Sequence, residues 1–299
     1  MSIQLAVAPI AWSNSDMPEL GGDTPLETCL RESREAGFCG TETGAKYPMD
    51  AAELGALLAA HELQLASGWF SGRLREVSVE EEKDNIARQL ETFRALGAKV
   101  LVYAETSGSV QAEREAPLST RPVMAADEWR DYGAKLTALA EHMADAGVRM
   151  AYHHHMGTVV ETAAEVDALM ANSGEAVGLT VDTGHLAFAG GDPVALLRKY
   201  APRVRHIHCK DLRRAAWQEA LRADCSFMQA VLDGVFTVPG DGCIDFHAVA
   251  RAVADINYAG WLVVEAEQDP ALAPPLEYAR MGYRHLRAAL AEAGVEITE

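Results

Sequence analysis

Apolar residues along this chain fall into short runs that alternate with longer stretches in which they recur every three or four positions. The short runs lie at Leu5–Ile10, Phe38–Glu42, Gln64–Trp69, Lys99–Ala104, Arg149–His153, Gly178–Asp182, Val204–His208 and Trp261–Glu265. Most are continuously apolar and lack strict alternation, as parallel strands do when helices cover them. In the stretches between, Ile86, Leu90, Phe93 and Leu96 share one helical face, as do Trp129, Tyr132, Leu136, Leu139 and Met143. Cap residues mark the helix starts. Thr24-Pro25-Leu26-Glu27 predicts a capping Thr with Pro at the first helical position. Ser78-Val79-Glu80-Glu81 and Thr162-Ala163-Ala164-Glu165 have capping-box form, and Asp192-Pro193 repeats the cap-then-proline pattern. Gly37, Gly97, Gly147 and Gly260 each stand between a helical stretch and a strand, where a helix end commonly needs left-handed backbone.

Eight β-then-α units with no break in composition predict an α/β fold, a single (β/α)8 TIM barrel spanning residues 1–299. The structural alternative is an open doubly wound sheet, which usually carries a glycine-rich loop after its first strand. Here that loop reads Ile10-Ala11-Trp12-Ser13-Asn14-Ser15-Asp16, without glycine. Residues 211–238 are too long for a plain connection, and Trp217, Leu221, Phe227, Met228 and Val231 give them helical character. They predict a lid-like insertion folded over the barrel mouth, with an insertion of no functional consequence as the alternative.

Composition narrows the function classes. The 299 residues are 49% hydrophobic and 23% charged, ordinary for a globular chain. No apolar run is long enough for a membrane span, and Met1–Val7 lacks the basic flank and apolar stretch of a secretion signal, so a soluble cytoplasmic protein is expected. A net charge of -18 repels phosphate backbones and argues against nucleic acid as a partner. The five cysteines are scattered and include no C-x-x-C pair, so neither a disulfide framework nor a zinc knuckle is indicated.

The strand ends carry the chemistry. Strand two ends at Glu42, strand five runs into His153-His154-His155, and strand six ends at Asp182 with His185 beyond it. Strand seven brings His206 and His208, then Lys210-Asp211, and strand eight brings Glu265 and Glu267. A single such residue is more often a capping or hydrogen-bonding group. Consecutive strands that all deliver carboxylates or imidazoles to one face would concentrate unpaired charge, which a divalent cation relieves. Mixed nitrogen and oxygen donors suit manganese, cobalt, iron(II) or zinc better than calcium. Side chains two apart along a strand share a face, so His153 pairs with His155 (His154 pointing away), His206 with His208, and Glu265 with Glu267.

Four segments, Val181-Asp182-Thr183-Gly184-His185, His206-Ile207-His208-Cys209-Lys210-Asp211, Val238-Pro239-Gly240-Asp241-Gly242 and Trp261-Leu262-Val263-Val264-Glu265, together resemble the xylose-isomerase-like barrel superfamily. That group includes sugar epimerases, hydroxypyruvate isomerase and endonuclease IV, and the similarity spans essentially the whole chain. It implies Asp182, His208 and Glu265 as metal ligands. Many relatives place a Glu on strand five where this chain has His153, which puts an isomerase-type mechanism with two glutamates in doubt. Tyr152-His153-His154-His155-Met156-Gly157-Thr158, Glu42-Thr43-Gly44-Ala45-Lys46-Tyr47-Pro48 and Val264-Glu265-Ala266-Glu267-Gln268-Asp269-Pro270 instead resemble the inosose dehydratases of inositol catabolism.

That resemblance implies loss of water from a cyclic polyol ketone, 2-keto-myo-inositol, with manganese or cobalt bound and glutathione as an assisting thiol. His153 and His155 are alternatives both for completing the metal site and for the base; Glu42, Glu267 and Lys46 are the other acid/base candidates. His185, Lys210 and Arg213 are expected to contact substrate oxygens, with Glu267 beside them, and Trp12 and Trp69 to line the pocket. Relatives often form dimers or tetramers, so a homo-oligomer is an expectation from resemblance. The competing functions are a sugar or keto-acid isomerase or epimerase on the same metal-binding barrel, a metal-dependent endonuclease, and a polyol-binding sensor.

Overall fold

The computed structural model describes residues 2–298. In chain order its elements are β1 (Ile3–Val7), α1 (Leu26–Ala36), β2 (Gly40–Thr43), α2 (Ala51–Ala60), β3 (Gln64–Gly72), α3 (Val79–Ala95), β4 (Val100–Glu105) and α4 (Glu128–Asp145). There follow β5 (Arg149–His153), α5 (Ala163–Asn172), β6 (Gly178–Asp182), α6 (Thr183–Phe188), α7 (Pro193–Lys199) and β7 (Val204–Cys209). The chain then forms β8 (Asp211–Leu212), α8 (Arg214–Ala223), α9 (Phe227–Leu232), β9 (Phe236–Thr237), α10 (Phe246–Asp255), β10 (Gly260–Val264) and α11 (Pro275–Glu292).

Eight strands close into a parallel barrel in the order β1-β10-β7-β6-β5-β4-β3-β2. The α/β (β/α)8 architecture read from the apolar runs is therefore the one observed. The first run ends earlier than its hydrophobicity suggests, because Pro9 opens a short 3-10 turn over Pro9–Ala11. β3 runs three residues past Trp69, since Phe70–Gly72 pair with Tyr103–Glu105 of β4.

Most of the apolar surface is buried in the layer between sheet and helices, where Leu5, Val7, Leu101, Tyr103, Val181, Ile207 and Leu262 meet residues such as Leu30, Leu136 and Leu286. The barrel interior holds a smaller cluster of Ala6, Ala8, Ala66 and Val263, with Trp261 packed beneath. Glu265 and Glu267 continue the inward face of Trp261 and Val263, so strand alternation lifts them above the apolar plug toward the mouth.

Most caps form where the sequence places them. Ser78 accepts from the Glu81 N–H, Thr162 and Glu165 make a reciprocal capping box, and Asp192 precedes Pro193. Thr24 does not cap: α1 begins at Leu26 behind Pro25, whose extended backbone serves as the boundary. The carbonyl of Thr24 instead turns to the Lys46 ammonium at 2.5 Å.

Residues 211–238 form a two-stranded ribbon, β8 against β9, and two helices, α8 and α9. Their apolar residues Leu212, Phe227, Met228, Val231 and Phe236 pack with Met17 and Leu20 of the loop after β1, Met156 of the loop after β5, and Phe188 of α6. This second core lies across part of the barrel mouth. Among the described residues, no helix is long and apolar enough to cross a membrane.

Candidate active site

At the C-terminal ends of the strands, side chains from four strands converge. Asp182 ends β6, His208 sits on β7, Glu265 follows β10 and His153 ends β5. Asp182 Oδ2 lies 3.6 Å from His208 Nδ1 and 3.6 Å from His153 Nε2, while His153 Nε2 lies 3.2 Å from His208 Nδ1. Glu265 Oε2 is 2.6 Å from the same His208 nitrogen. His153 with Asp182 and His208, and Asp182 with His185 and Glu265, form compact donor groups of the kind that hold a metal ion.

The donor set fits a divalent cation. Ligands at about 2.1 Å around one metal stand about 3.0–3.5 Å apart; the His153–His208 separation of 3.2 Å falls in that range, the two 3.6 Å separations lie just above it, and the 2.6 Å Glu265–His208 contact is shorter. The two oxygens of Asp182 are divided between two tasks: Oδ1 caps α6 by accepting from the His185 N–H at 2.8 Å, whereas Oδ2 is buried with no hydrogen-bond partner. An unpartnered carboxylate oxygen under complete burial is strongly unfavourable unless a cation answers it. Around this centre lie four buried carboxylates, Glu42, Asp182, Glu265 and Glu267, against the ammonium of Lys210. Burial would lower the His208 pKa, but Glu265 and Glu42 on either side raise it well above the ordinary value. A second proton on His208 and a bound cation are thus two answers to the same surplus of negative charge.

Glu42 reaches across the barrel from β2. Its Oε1 accepts from His206 Nε2 at 2.8 Å and from His208 Nε2 at 3.2 Å. Burial alone would raise its pKa; the two histidines outweigh that and bring it down to about 2. A carboxylate behind the far nitrogen of a ligating imidazole orients the ring and increases its basicity.

Lys210 is fully enclosed, and its Nζ binds Glu267 Oε2 at 2.6 Å, Glu265 Oε1 at 2.8 Å and His185 Nε2 at 2.9 Å. Gly184 makes room for it, since a Cβ there would lie 2.6 Å from Lys210 Cγ. Burial pushes the Glu267 carboxyl up, Lys210 pulls it back, and the result is about 7.

The open part of the site is a cavity of about 570 Å³. One wall is formed by Glu42, His155, His208, Glu265 and Glu267; the other by Ser13, Thr43, Gly44, Lys46, Ser71, Gln89 and Gln111, with Trp69 between them. His155 Nδ1 lies 2.7 Å from the Met156 carbonyl, which places the proton on Nδ1 and leaves Nε2 as the basic nitrogen. The ring lies 3.8 Å from that of His185, tilted at 42° to it, and meets Phe227 of the insertion edge-on. Trp69 presents its edge to both His153 and His155, and its Nε1 donates to Ser71 Oγ at 2.8 Å.

Several residues singled out in the sequence stand elsewhere than expected. His185 and Lys210, expected to touch substrate, are fully buried behind the cavity wall and contact each other and the carboxylates. Arg213 does not reach the cavity: its guanidinium binds Asp241, the carbonyl of Gly234 and the hydroxyl of Thr237, clamping the ribbon of the insertion. Trp12 is likewise packed away from the cavity, with its Nε1 donating to Glu32 at 2.7 Å. Lys46 lines the rim, but its ammonium is held by the carbonyls of Gly22 and Thr24. His154 is buried and accepts from the Asp182 N–H at 3.3 Å. Sequence reasoning missed Gln111 and Gln89, which lie in a long loop and on a helix where no pattern sets a glutamine apart.

A profile of the family described as xylose isomerase-like TIM barrel matches residues 30–289. The chain is 53% identical to the rhizopine catabolism protein MocC of Rhizobium meliloti, over 100% of this chain and 92% of the relative. It is 44% identical to an inosose dehydratase of Bacillus anthracis, over 93% of this chain and 94% of the relative. Among solved structures it resembles the IolI protein with a zinc atom (TM-score 0.69, 18% identity, covering 97% and 99% of the two chains). L-ribulose 3-epimerase is comparable in fold, with a TM-score of 0.67 and 20% identity over 98% and 96% of the two chains.

Proposed function

The chain belongs to the xylose isomerase-like TIM barrel family, and within it we propose that the molecule is a metal-dependent hydro-lyase that eliminates water from 2-keto-myo-inositol in inositol catabolism. The observation that carries this reading is the 44% identity to inosose dehydratases over nearly the full length of both chains. The unpartnered oxygen of Asp182 among nitrogen and carboxylate donors supports the metal dependence. Manganese or cobalt suits that mixed set, and the enzyme works in the cytoplasm on a small cyclic polyol ketone.

Asp182, His208, Glu265 and His153 would hold the cation. When bound, it supplies Lewis-acid polarisation of the substrate ketone and offsets the charge that develops on its oxygen. The remaining work is proton transfer by this chain's own groups. His155, which lines the cavity and whose Nε2 is the nitrogen not engaged by the Met156 carbonyl, takes the proton from the carbon next to the ketone; the C–H electrons become the new double bond. Glu267, at the cavity with Lys210 behind it, passes a proton to the hydroxyl leaving the next carbon, so that it departs as water. Glu42 keeps His208 aligned, and Trp69 packs against a face of the ring.

The decisive experiment compares metal-stripped protein with protein resupplied with manganese or cobalt, using 2-keto-myo-inositol and following mass and ultraviolet absorbance. Loss of one water with an absorbing diketone product, only in the resupplied sample, is the expected result. A folded, metal-loaded protein that leaves the ketone intact removes the substrate assignment; interconversion without loss of water would favour the epimerase alternative. The 53% identity to a rhizopine catabolism protein favours a second substrate class, and ketones derived from rhizopines belong in the same assay.

A further inference from the structure

The loop between β4 and α4 carries two buried side chains with an unanswered polar atom, Ser107 and Gln111, and of these only Gln111 lines the cavity. Gln111 lines the cavity, is 9% exposed, and its Oε1 is buried without a hydrogen-bond partner. Among the described residues, it is the only cavity-lining side chain with such an atom. A buried amide oxygen left unanswered is destabilising, so its presence on a cavity wall points to a donor that arrives from outside.

The backbone that carries this side chain is tied down on both sides. Thr106 N donates to the Gly72 carbonyl at 2.8 Å, and Ser107 N to Glu105 Oε1 at 3.1 Å. Val110 N donates to the Gly157 carbonyl at 2.9 Å, and further on Leu118 N reaches Cys225 O of the insertion. Gly157 has φ 78°, and a Cβ there would lie 2.9 Å from Gln111 N, so the loops after β4 and β5 meet backbone to backbone at this point. Backbone fixed in this way keeps the Gln111 side chain on the cavity wall.

We propose that Gln111 is a specificity-determining residue that reads a hydroxyl of the substrate ring. The assignment rests on the polyol-ketone reading above. It predicts that the enzyme distinguishes a polyol ketone from the ring-deoxy analogue lacking that hydroxyl, because the analogue leaves Oε1 unpaired.

The test pairs Gln111→Met, which keeps the length and removes the acceptor, with Gln111→Glu, which keeps an acceptor. Each is compared with wild type on 2-keto-myo-inositol and on its ring-deoxy analogues, with metal loaded. Gln111→Met is expected to lower kcat/KM on the full polyol by about 10- to 100-fold, mostly through KM, while one deoxy analogue is processed equally by wild type and variant. Gln111→Glu is expected to retain the discrimination. Equal loss on every analogue, or a change within about threefold on all, overturns the assignment. Calorimetric titration of the metal-loaded proteins with unreactive myo-inositol separates the two readings. If wild type releases no water but binds myo-inositol about tenfold more tightly than Gln111→Met, the reaction assignment fails and the hydroxyl-reading role stands. If wild type dehydrates the ketone and the Met variant binds and turns over as it does, only the role of Gln111 fails.

Discussion

The two halves of the barrel mouth are built on different principles. On the side of β5, β6, β7 and β10, nearly every cavity or near-cavity side chain is ionisable, buried and joined to its neighbours: Asp182, His208, Glu265, Glu267, Lys210 and His153 form one continuous network. On the side of β1 to β4 the wall is mostly neutral and small, with Ser13, Thr43, Gly44, Ala45, Ser71, Gln89 and Gln111. The charged exceptions are Asp16, Lys46 and Glu42, the last a β2 residue whose carboxylate spans the interior to serve the histidines of β7. On the proposed function, the difference separates reaction from recognition. Groups that must keep a charge geometry through a reaction are locked by mutual pairing, while groups that need only complement hydroxyls can be neutral and leave one bond unfilled for the ligand.

Removing a charge from the networked half should have the largest effect. Asp182→Asn retains Oδ1 and so keeps the α6 cap, but removes the anionic Oδ2; Glu265→Gln removes the charge opposite His208. Each is expected to lower kcat/KM at least about a thousandfold and to abolish stoichiometric metal uptake, with an unchanged circular dichroism spectrum. Metal analysis by atomic emission alongside turnover checks this, and full activity in either variant would take that residue out of the centre. The bridging residue comes next. Glu42→Gln should weaken metal affinity by about 10- to 100-fold, with turnover largely restored when metal is saturating. If saturating metal leaves kcat more than about a hundredfold down, Glu42 takes part in proton transfer and the division between the halves is less clean.

Much of the networked half was legible in the sequence, and most of the neutral half was not. Strand period and the D-T-G-H and H-x-H-x-K-D segments put Asp182, His208 and Glu265 at strand ends, because regular strands carry spacing directly into space. His153 and His155 could not be told apart by spacing. The strand ends at His153, and the backbone then turns, sending one ring toward Asp182 and the other to the cavity. Lys210 and His185 lie behind the cavity wall and not on it, a placement that sequence does not announce because a cation at a strand end reads the same whether it faces solvent or a buried carboxylate. Arg213 and Trp12 depend on partners distant in sequence, Asp241 and Glu32, that no local pattern announces. Gln111 owes its position to backbone contact between two loops, and loops carry no period.

Lys46 tests whether the neutral half hides a catalytic charge. Its ammonium is occupied by two carbonyls, those of Thr24 and of Gly22, the latter a residue of the cavity rim. Lys46→Met should therefore loosen the rim and raise KM by about three- to tenfold with kcat nearly unchanged. Steady-state kinetics separates the two parameters; a fall in kcat beyond about a hundredfold would return Lys46 to acid/base chemistry.

The smallest effect is expected from Trp12, which lies in the loop after β1 yet faces away from the cavity. Its ring is buried, and its one polar contact is the 2.7 Å bond to Glu32 of α1, a carboxylate that also meets Arg31. Trp12→Phe removes that bond and part of the ring volume. Glu32 keeps Arg31 and access to water, so its desolvation penalty does not arise. The variant should lose about 1–2 kcal/mol of stability, read from the midpoint of denaturant unfolding, with kcat/KM within about twofold of wild type. The two halves make opposite demands on such a change. In the networked half a lost bond strands a buried charge and reaches the chemistry; beneath the neutral wall it is absorbed by packing and solvent. A tenfold loss of kcat/KM in Trp12→Phe without loss of stability would mean that the β1 loop transmits strain to the reacting groups, and the separation of reaction from recognition would have to be redrawn there.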